Sequence, residues 1–146
     1  MSISYMAEEI KRPKLQFRII SIWLKQVVVK FGYITGDLTY IFCSDEYLKK
    51  INFQYLKHDY YTDIVTFDYS EGTRISGDMF ISIDRVNENS QLFNCEPEVE
   101  FLRVIVHGLL HLLGFKDSND IEKETMRKLE NDCLFMFKEI QNGCIK

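Results

Sequence analysis

A nearly continuous apolar stretch in the last third of the chain constrains the fold more than any other feature. Residues 101–113 are apolar at all but a few positions, and two of the exceptions are histidines. Pro97 suits the first position of a helix, and Gly114 suits the residue that ends one. A helix that is apolar almost all round is a buried helix. The pattern therefore predicts a helix that the rest of the chain surrounds.

The remaining segments predict the elements that cover this helix. Helical spacing of apolar residues and capping residues predict three further helices: residues 17–31, a helix capped by Ser44 that runs to about Tyr55, and a helix capped by Asn119 that runs to about Gln141. β-Branched and aromatic residues mark strands near residues 3–5, 37–43, 62–69 and 77–83. Some strands adjoin and others are separated by helices, which indicates a mixed sheet. We predict a single α+β domain over residues 1–146, with about four strands packed against helices.

Composition excludes several classes of protein. The chain has 146 residues, of which 46% are apolar, so it can bury a core and is not disordered. No apolar run approaches the roughly 20 residues of a membrane span, and residues 1–14 lack the order of segments found in a signal peptide. The four cysteines, at positions 43, 95, 133 and 144, have no CxxC spacing, which indicates reduced thiols. We therefore expect a cytoplasmic protein.

The charge balance argues against one mode of nucleic-acid binding. Lys and Arg number 18 and Asp and Glu number 22, so the formal net charge is −4. A mildly acidic protein does not hold nucleic acid through bulk charge. Residues 1–30 nevertheless carry an excess of Lys and Arg over Glu. This segment therefore suggests one basic face, the first place to look for a surface that contacts nucleic acid.

Two histidines in the buried helix predict a metal site. His107 and His111 are four residues apart, so both imidazoles leave the same face of the helix, one turn apart. Two nitrogens at this spacing suit one metal ion, and imidazoles in an apolar helix otherwise need buried partners. A turn at Gly114 lets Asp117 supply a third ligand, with Asp120 as the alternative. Zn²⁺ is the default ion for two nitrogens and one oxygen, although Ni²⁺ or another divalent ion fits the same ligands.

The residue after the first histidine separates this site from a protease. The spacing HxxxHxxGxxD is similar to the HExxHxxGxxH/D pattern of zinc metalloproteases, in which the Glu is the general base. Gly108 occupies the position of that Glu. The helix is therefore predicted to be zincin-like in its metal ligands and to lack the protease base.

Several segments together resemble one known family. HGLLHLLGFKD at residues 107–117 resembles the signature HGxLHLxGxDH of the YbeY family of metal-dependent endoribonucleases. YTDIVTF at residues 61–67 resembles the TDVLSF strand of that family, and GDMFISID at residues 77–84 resembles a further strand. EKETMRKLE at residues 122–130 resembles the acidic stretch that follows the signature. The resemblance covers roughly residues 35–135 in order and spacing.

This resemblance implies a function and a set of site residues. It implies a YbeY-like metal-dependent hydrolase domain that cleaves single-stranded RNA, processes the 3′ end of 16S ribosomal RNA and acts in ribosome maturation. The implied partners are ribosomal RNA and the ribosome or small-subunit assembly proteins. His107 and His111 carry over as metal ligands, whereas the third histidine of the family falls at Asp117. The Arg of a YR dipeptide, which the family uses for activity, falls at Leu56.

Because that Arg is absent, another residue must supply the positive charge near the metal. We hypothesise that a metal held by the three ligands activates a water or polarises a phosphate oxygen, while a nearby cation neutralises the developing charge. The candidate cations are Lys57, His58 and Arg74. Three tyrosines could stack on unpaired bases, namely Tyr55, Tyr60 and Tyr61, and Asp63 could line the cleft or cap a turn.

Two alternative functions are open at this point. In the first, the chain is a non-catalytic ribosome-assembly factor whose metal is structural, and Leu56 reflects lost activity. A fourth protein ligand would favour this alternative, whereas an open coordination position favours an enzyme. In the second, the chain is a zincin-like peptidase or another metal hydrolase, and Gly108 argues against the peptidase.

Overall fold

Strands and helices are interspersed along the chain. The computed structural model describes residues 2–58 and 60–143. In chain order the elements of these residues are β1 (Ile3–Ala7), α1 (Phe17–Lys30), β2 (Ile34–Cys43), α2 (Asp45–Leu56), β3 (Ile64–Asp68), β4 (Arg74–Ser82), α3 (Ile83–Leu92), α4 (Pro97–Leu112) and α5 (Asp120–Gln141). The predicted α+β class is confirmed.

The strands form one mixed sheet in the order β1-β2-β4-β3. β1 and β4 both run parallel to β2, and β3 runs antiparallel to β4. Met79 of β4 lies between Tyr40 of β2 and Thr66 of β3, which fixes the register at the centre of the sheet. β1 and β3 are the two edges. The basic N-terminal segment therefore enters the sheet at the edge opposite β3.

Helix α4 is buried, as its apolar sequence predicts. The side chains of Ile105, Val106 and Leu109 are fully covered. The hydroxyl of Tyr40 in β2 donates a hydrogen bond of 3.0 Å to the carbonyl oxygen of Ile105, which ties the helix to the sheet. On the other side α5 covers α4, and α1 packs against α5. The long apolar helix is thus enclosed by the sheet and its neighbouring helices.

Gly108 lies at a close contact between α4 and the sheet. A Cβ atom at this position would lie 2.7 Å from Cδ1 of Ile64 and 3.2 Å from Sδ of Met79. Both distances are shorter than ordinary van der Waals contacts between heavy atoms. The position that carries Glu in zinc proteases therefore faces β3 and β4, so a longer side chain there would have to displace Ile64 and Met79.

Most predicted helix boundaries match the observed ones. The Ser44 hydroxyl accepts a hydrogen bond from the backbone N–H of Tyr47 at 3.1 Å, and the Asn119 side chain accepts one from that of Glu122 at 2.8 Å. Both residues cap their helices as predicted. Pro97 is the first residue of α4.

Helix α3 is the element that the sequence did not predict. The strand predicted to run to Ile83 ends at Ser82, and the Ser82 hydroxyl accepts a hydrogen bond from the backbone N–H of Arg85 at 3.1 Å. Ser82 therefore caps a helix in the segment that follows. Only Val86 and Ser90 of this helix are buried. A helix with so few buried positions carries no apolar stripe from which to predict it.

Two further predictions concern the thiols and the membrane. Cys43, Cys95 and Cys133 are free, as predicted, and Cys144 lies outside the described residues. Across residues 2–58 and 60–143, no helix combines the length and the apolar character required to cross a membrane.

Candidate metal centre

The turn after α4 brings the chain back toward its histidines. Gly114 has φ of 101°, a left-handed conformation that glycine adopts without steric cost. Its N–H donates to the carbonyl oxygen of His111 at 3.0 Å, and the N–H of Phe115 donates to that of Leu110 at 3.1 Å. This pair of bonds is a Schellman motif, which ends a helix and reverses the chain. Asp117 is thereby carried to the face of α4 that bears the histidines.

Three potential metal ligands converge at this face. The Nε2 atoms of His107 and His111 are 3.0 Å apart. Oδ2 of Asp117 lies 3.4 Å from Nε2 of His107 and 3.5 Å from Nε2 of His111. Among the described residues these three form the group of potential ligands, and Asp120 is not part of it. Two imidazole nitrogens and one carboxylate oxygen fit a divalent ion such as Zn²⁺ that keeps a further position open.

The second nitrogen of His107 contacts a buried carboxylate. Nδ1 of His107 lies 2.6 Å from Oε2 of Glu130, a buried residue of α5. The Nε2 atom of His107 is therefore left to face Nε2 of His111 and the carboxylate of Asp117.

Glu130 is itself held by two arginines. Its Oε1 atom lies 3.1 Å from Nη1 of Arg103 in α4 and 3.6 Å from Nη1 of Arg127 in α5. Arg103 is four residues before His107, so it projects from the same face of α4 one turn earlier. The carboxylate thus bridges an arginine and a histidine of one helix.

The two histidines differ in their electrostatics. Burial acts to lower the pKa of His107, but the hydrogen bond and negative charge of Glu130 outweigh burial and raise the pKa above its ordinary value. Burial lowers the pKa of His111, and the neighbouring His107 lowers it further. Burial would raise the pKa of Glu130, but its bonds to His107 and Arg103 outweigh burial and lower the pKa.

A cavity of about 530 Å³ opens beside the three ligands. The C-terminal part of α2, the segment before β3, the edge strand β3 itself and α4 form its walls. Asp63 lies in this wall, which agrees with the first of its two predicted roles. Burial raises the pKa of Asp63, and the nearby His107 partly opposes that effect. The described lining residues include none from the basic segment 1–30.

The candidate cations differ in whether they line the cavity. His58 lines the cavity, and its ring stacks on that of Tyr60 with centroids 5.2 Å apart and planes 17° apart. Lys57 ends α2 with φ of 60° and is exposed. Neither Lys57 nor Arg74 is among the described residues that line the cavity, whereas Leu56 is.

The three tyrosines proposed to stack on bases also differ in whether they line the cavity. Tyr60 lines the cavity. Tyr55 packs edge-on against Phe67 at 5.7 Å, and the Tyr61 hydroxyl donates a hydrogen bond to Glu46. Among the described lining residues, Tyr60 is therefore the one tyrosine of the three that reaches the cavity.

Glu130 and Arg103 are the site residues that the sequence analysis missed. The buried stripe of α5 includes Met126 and Cys133, and Glu130 lies on it four residues after Met126. A charged residue on an apolar stripe is a signal for a buried partner, because an unpaired buried charge is costly. Arg103 gives the same signal through its four-residue spacing before His107.

Fold and site together define a class of α+β proteins in which one buried helix and the turn after it present a group of metal-ligating residues. The family model of endoribonuclease YbeY matches residues 5–138. Endoribonuclease YbeY of Parabacteroides distasonis is 48% identical over 139 residues, which are 95% of this chain and 98% of that protein. The Flavobacterium johnsoniae protein of the same name is 49% identical over 115 residues, 79% of this chain and 83% of its own. The chain therefore belongs to the endoribonuclease YbeY family.

A solved structure agrees with this assignment. The solution structure of TM1509 from Thermotoga maritima aligns with a TM-score of 0.62 at 25% sequence identity. The alignment covers 94% of this chain and 93% of that protein. The similarity therefore extends over almost the whole of both folds.

Proposed function

We propose that this chain is a metal-dependent endoribonuclease that cleaves single-stranded RNA in ribosomal RNA maturation, as one hydrolase domain over residues 1–146. The observation that carries the proposal is the convergence of His107, His111 and Asp117 at the wall of an open cavity, in a chain of the YbeY family. The cavity volume lies in the range of sites that bind small molecules, so it can take a nucleotide unit of an RNA chain.

We further propose that these three residues hold one Zn²⁺ ion per chain, a position that Ni²⁺ can also take. When bound, such an ion supplies Lewis acidity toward a phosphodiester and a coordinated water. His107 and His111 direct Nε2 toward each other and toward Asp117, and Nδ1 of His107 is bonded to Glu130. Asp117 brings one negative charge.

Three further residues of the cavity wall have roles in this proposal. Asp63 lines the cavity, where its carboxyl can accept a hydrogen bond from the RNA. His58 lines the cavity two residues after Leu56, the position of the family arginine, and offers a hydrogen-bond donor to a phosphate oxygen. Tyr60, stacked on His58, offers a ring face to an unpaired base.

Other functions fit the site less well. A zincin-like peptidase needs a general base at position 108, which is a glycine packed against Ile64 and Met79. A non-catalytic assembly factor is favoured by Leu56, which places an apolar side chain in the cavity wall. The ligand group of the described residues has three members rather than the four of a closed structural site, which favours the enzyme.

The metal and the substrate can be tested on the same preparations. Protein purified without chelator should contain about one divalent ion per chain by elemental analysis, and His107→Ala and Asp117→Ala should each lose it. The wild-type protein should cleave a single-stranded ribosomal RNA fragment and leave casein intact. Full metal retention in both variants would refute the ligand set, and casein digestion without RNA cleavage would favour the peptidase.

A further inference from the structure

We propose that Glu130 is the positioning residue of the metal centre, because it fixes His107 in the tautomer that leaves Nε2 available to a metal ion. The inference rests on the proposed function, since it concerns one of the ligands named there. Oε2 of Glu130 lies 2.6 Å from Nδ1 of His107. An ionised carboxylate has acceptors only, so the proton of this hydrogen bond belongs to Nδ1. A neutral imidazole protonated at Nδ1 carries its lone pair on Nε2.

The carboxylate is held so that it cannot easily turn away from His107. Glu130 is only 5% exposed. Its two oxygens have different partners, with Oε1 bonded to Nη1 of Arg103 at 3.1 Å and Oε2 bonded to His107. Rotation of the carboxylate would break a charge-assisted bond inside the protein. Arg103 also supplies the positive charge that a buried carboxylate requires.

The two histidines differ in the group that each contacts outside the ligand cluster. His111 interacts with the backbone of Phe115, a neutral group within the turn that follows its own helix. The outward partner of His107 is an anion from α5, a separate element. A carboxylate bonded to the distal nitrogen orients an imidazole and increases its basicity as a ligand. We therefore assign His107 as the more strongly anchored of the two nitrogen ligands, with α5 as the support.

Two substitutions at Glu130 and one matched control test this role on the full chain. Glu130→Leu removes the acceptor, and Glu130→Gln keeps a neutral one. Asp132→Asn removes one negative charge from an exposed position of the same helix. Two properties are measured: the tautomer of His107 in metal-free protein at alkaline pH, from long-range ¹H–¹⁵N correlations of the imidazole, and the Zn²⁺ affinity, from competition with a chromogenic chelator.

Loss of a carboxylate behind a metal-binding histidine typically weakens metal affinity about 10–100-fold, and we expect Glu130→Leu to fall in this range. The His107 tautomer should become mixed in this variant. Glu130→Gln should keep the Nδ1-protonated tautomer and lose only part of the affinity. Asp132→Asn should match the wild type in both properties.

The outcomes distinguish this inference from the proposed function. Wild-type tautomer and wild-type affinity in Glu130→Leu would overturn the role of Glu130 and leave the metal centre intact. If Glu130→Leu does not fold, wild-type Zn²⁺ affinity in Glu130→Gln would overturn it equally. If His107→Ala does not alter Zn²⁺ binding, the proposed centre fails, but the tautomer of metal-free Glu130→Leu still decides whether Glu130 positions the imidazole.

Discussion

At the residue scale, Asp117 replaces the third histidine of the family signature with a carboxylate. Its Oδ2 atom is almost equidistant from the two imidazole Nε2 atoms, at 3.4 and 3.5 Å. Asp120, three residues later, is in the first turn of α5, where a carboxylate interacts favourably with the helix dipole. The two aspartates therefore lie in different surroundings, although either suits the sequence spacing.

A pair of identical substitutions tests whether their roles differ. Asp117→Asn should weaken Zn²⁺ binding by about tenfold or more, since a neutral amide replaces a charged ligand. Asp120→Asn should leave Zn²⁺ binding unchanged and lower the free energy of unfolding by about 0.3–1 kcal/mol through the helix dipole. Chelator competition and urea unfolding measure the two effects. Equal loss of Zn²⁺ affinity in both variants would contradict the assignment of Asp117.

The His107–Glu130 pair makes the stability of the metal-free protein depend on pH. The folded-state pKa of His107 is raised above 6.5, so its contribution is fully present below pH 6.5 and is lost as the pH rises through the folded pKa. The pKa of Glu130 is lowered from 4.5, so its contribution is present above pH 4.5 and is lost as the pH falls through the folded pKa. The pair is therefore complete between these two values.

It follows that Glu130→Gln should destabilise the metal-free protein more near the middle of this window than in alkaline solution. Urea unfolding of both proteins at about pH 5.5 and about pH 9 measures the difference, which we expect to exceed about 1 kcal/mol. A loss of stability that is the same at both pH values, or larger in alkali, would contradict the pairing.

His58 and Lys57 are adjacent candidates for the cation that replaces the family arginine. His58 lines the cavity, and Lys57 is exposed at the end of α2 and is not among the described lining residues. His58→Ala should lower kcat/KM for RNA cleavage by about tenfold, the equivalent of one charge-assisted hydrogen bond, with metal content unchanged. Lys57→Ala should have little effect. A larger loss in Lys57→Ala than in His58→Ala would reverse the assignment.

At the scale of elements, two glycines lie at close contacts between α4, β3 and β4. A Cβ at Gly77 of β4 would lie 2.6 Å from the carbonyl oxygen of Phe67, a backbone atom of the paired strand β3. The atoms nearest to a Cβ at Gly108 are the ends of the Ile64 and Met79 side chains, which can rotate. The two glycines are thus similar in burial and different in how their surroundings can respond.

Substitution of each glycine by alanine tests this contact, since both changes affect the unfolded chain alike. Gly77→Ala should lower the free energy of unfolding by about 1–3 kcal/mol, because β3 must shift to admit the methyl group. Gly108→Ala should cost less, since side-chain rotation relieves the contact and alanine favours the helix. Urea unfolding midpoints compare the two. A greater loss in Gly108→Ala would show that the account of this packing is wrong.

The success of prediction also differs from element to element. The length of α4, the turn at Gly114 and the caps at Ser44 and Asn119 follow from local signals, and the structure confirms them. Helix α3 was missed because its sequence is polar. Glu130 was missed because its partner His107 is 23 residues away in sequence, a pairing that only the packing of α5 on α4 creates.

At the scale of the whole molecule, the sheet order determines where an RNA chain can reach the ligands. The cavity lies at the β3 edge, whereas β1, which belongs to the basic segment, is the opposite edge. The mixed sheet of about four strands was predictable from strand patterns. The placement of β1 and β3 at opposite edges was not predictable, because strand order depends on pairing between segments that are far apart in the sequence. The search for RNA contacts therefore moves from residues 1–30 to α2 and β3.

The net charge of −4 is compatible with an RNA substrate on this account, because a metal ion and a few local groups hold the phosphate.

The central claim is that His107, His111 and Asp117 form a metal centre on which RNA cleavage depends. The most direct test measures the initial rate of cleavage of a single-stranded ribosomal RNA fragment while Zn²⁺ is added to metal-free protein. We predict a rate that starts near zero, rises to a plateau at about one ion per chain, and stays near zero in His111→Ala. Cleavage that is as fast in the metal-free protein as in the loaded one, or as fast in His111→Ala as in the wild type, would contradict the claim.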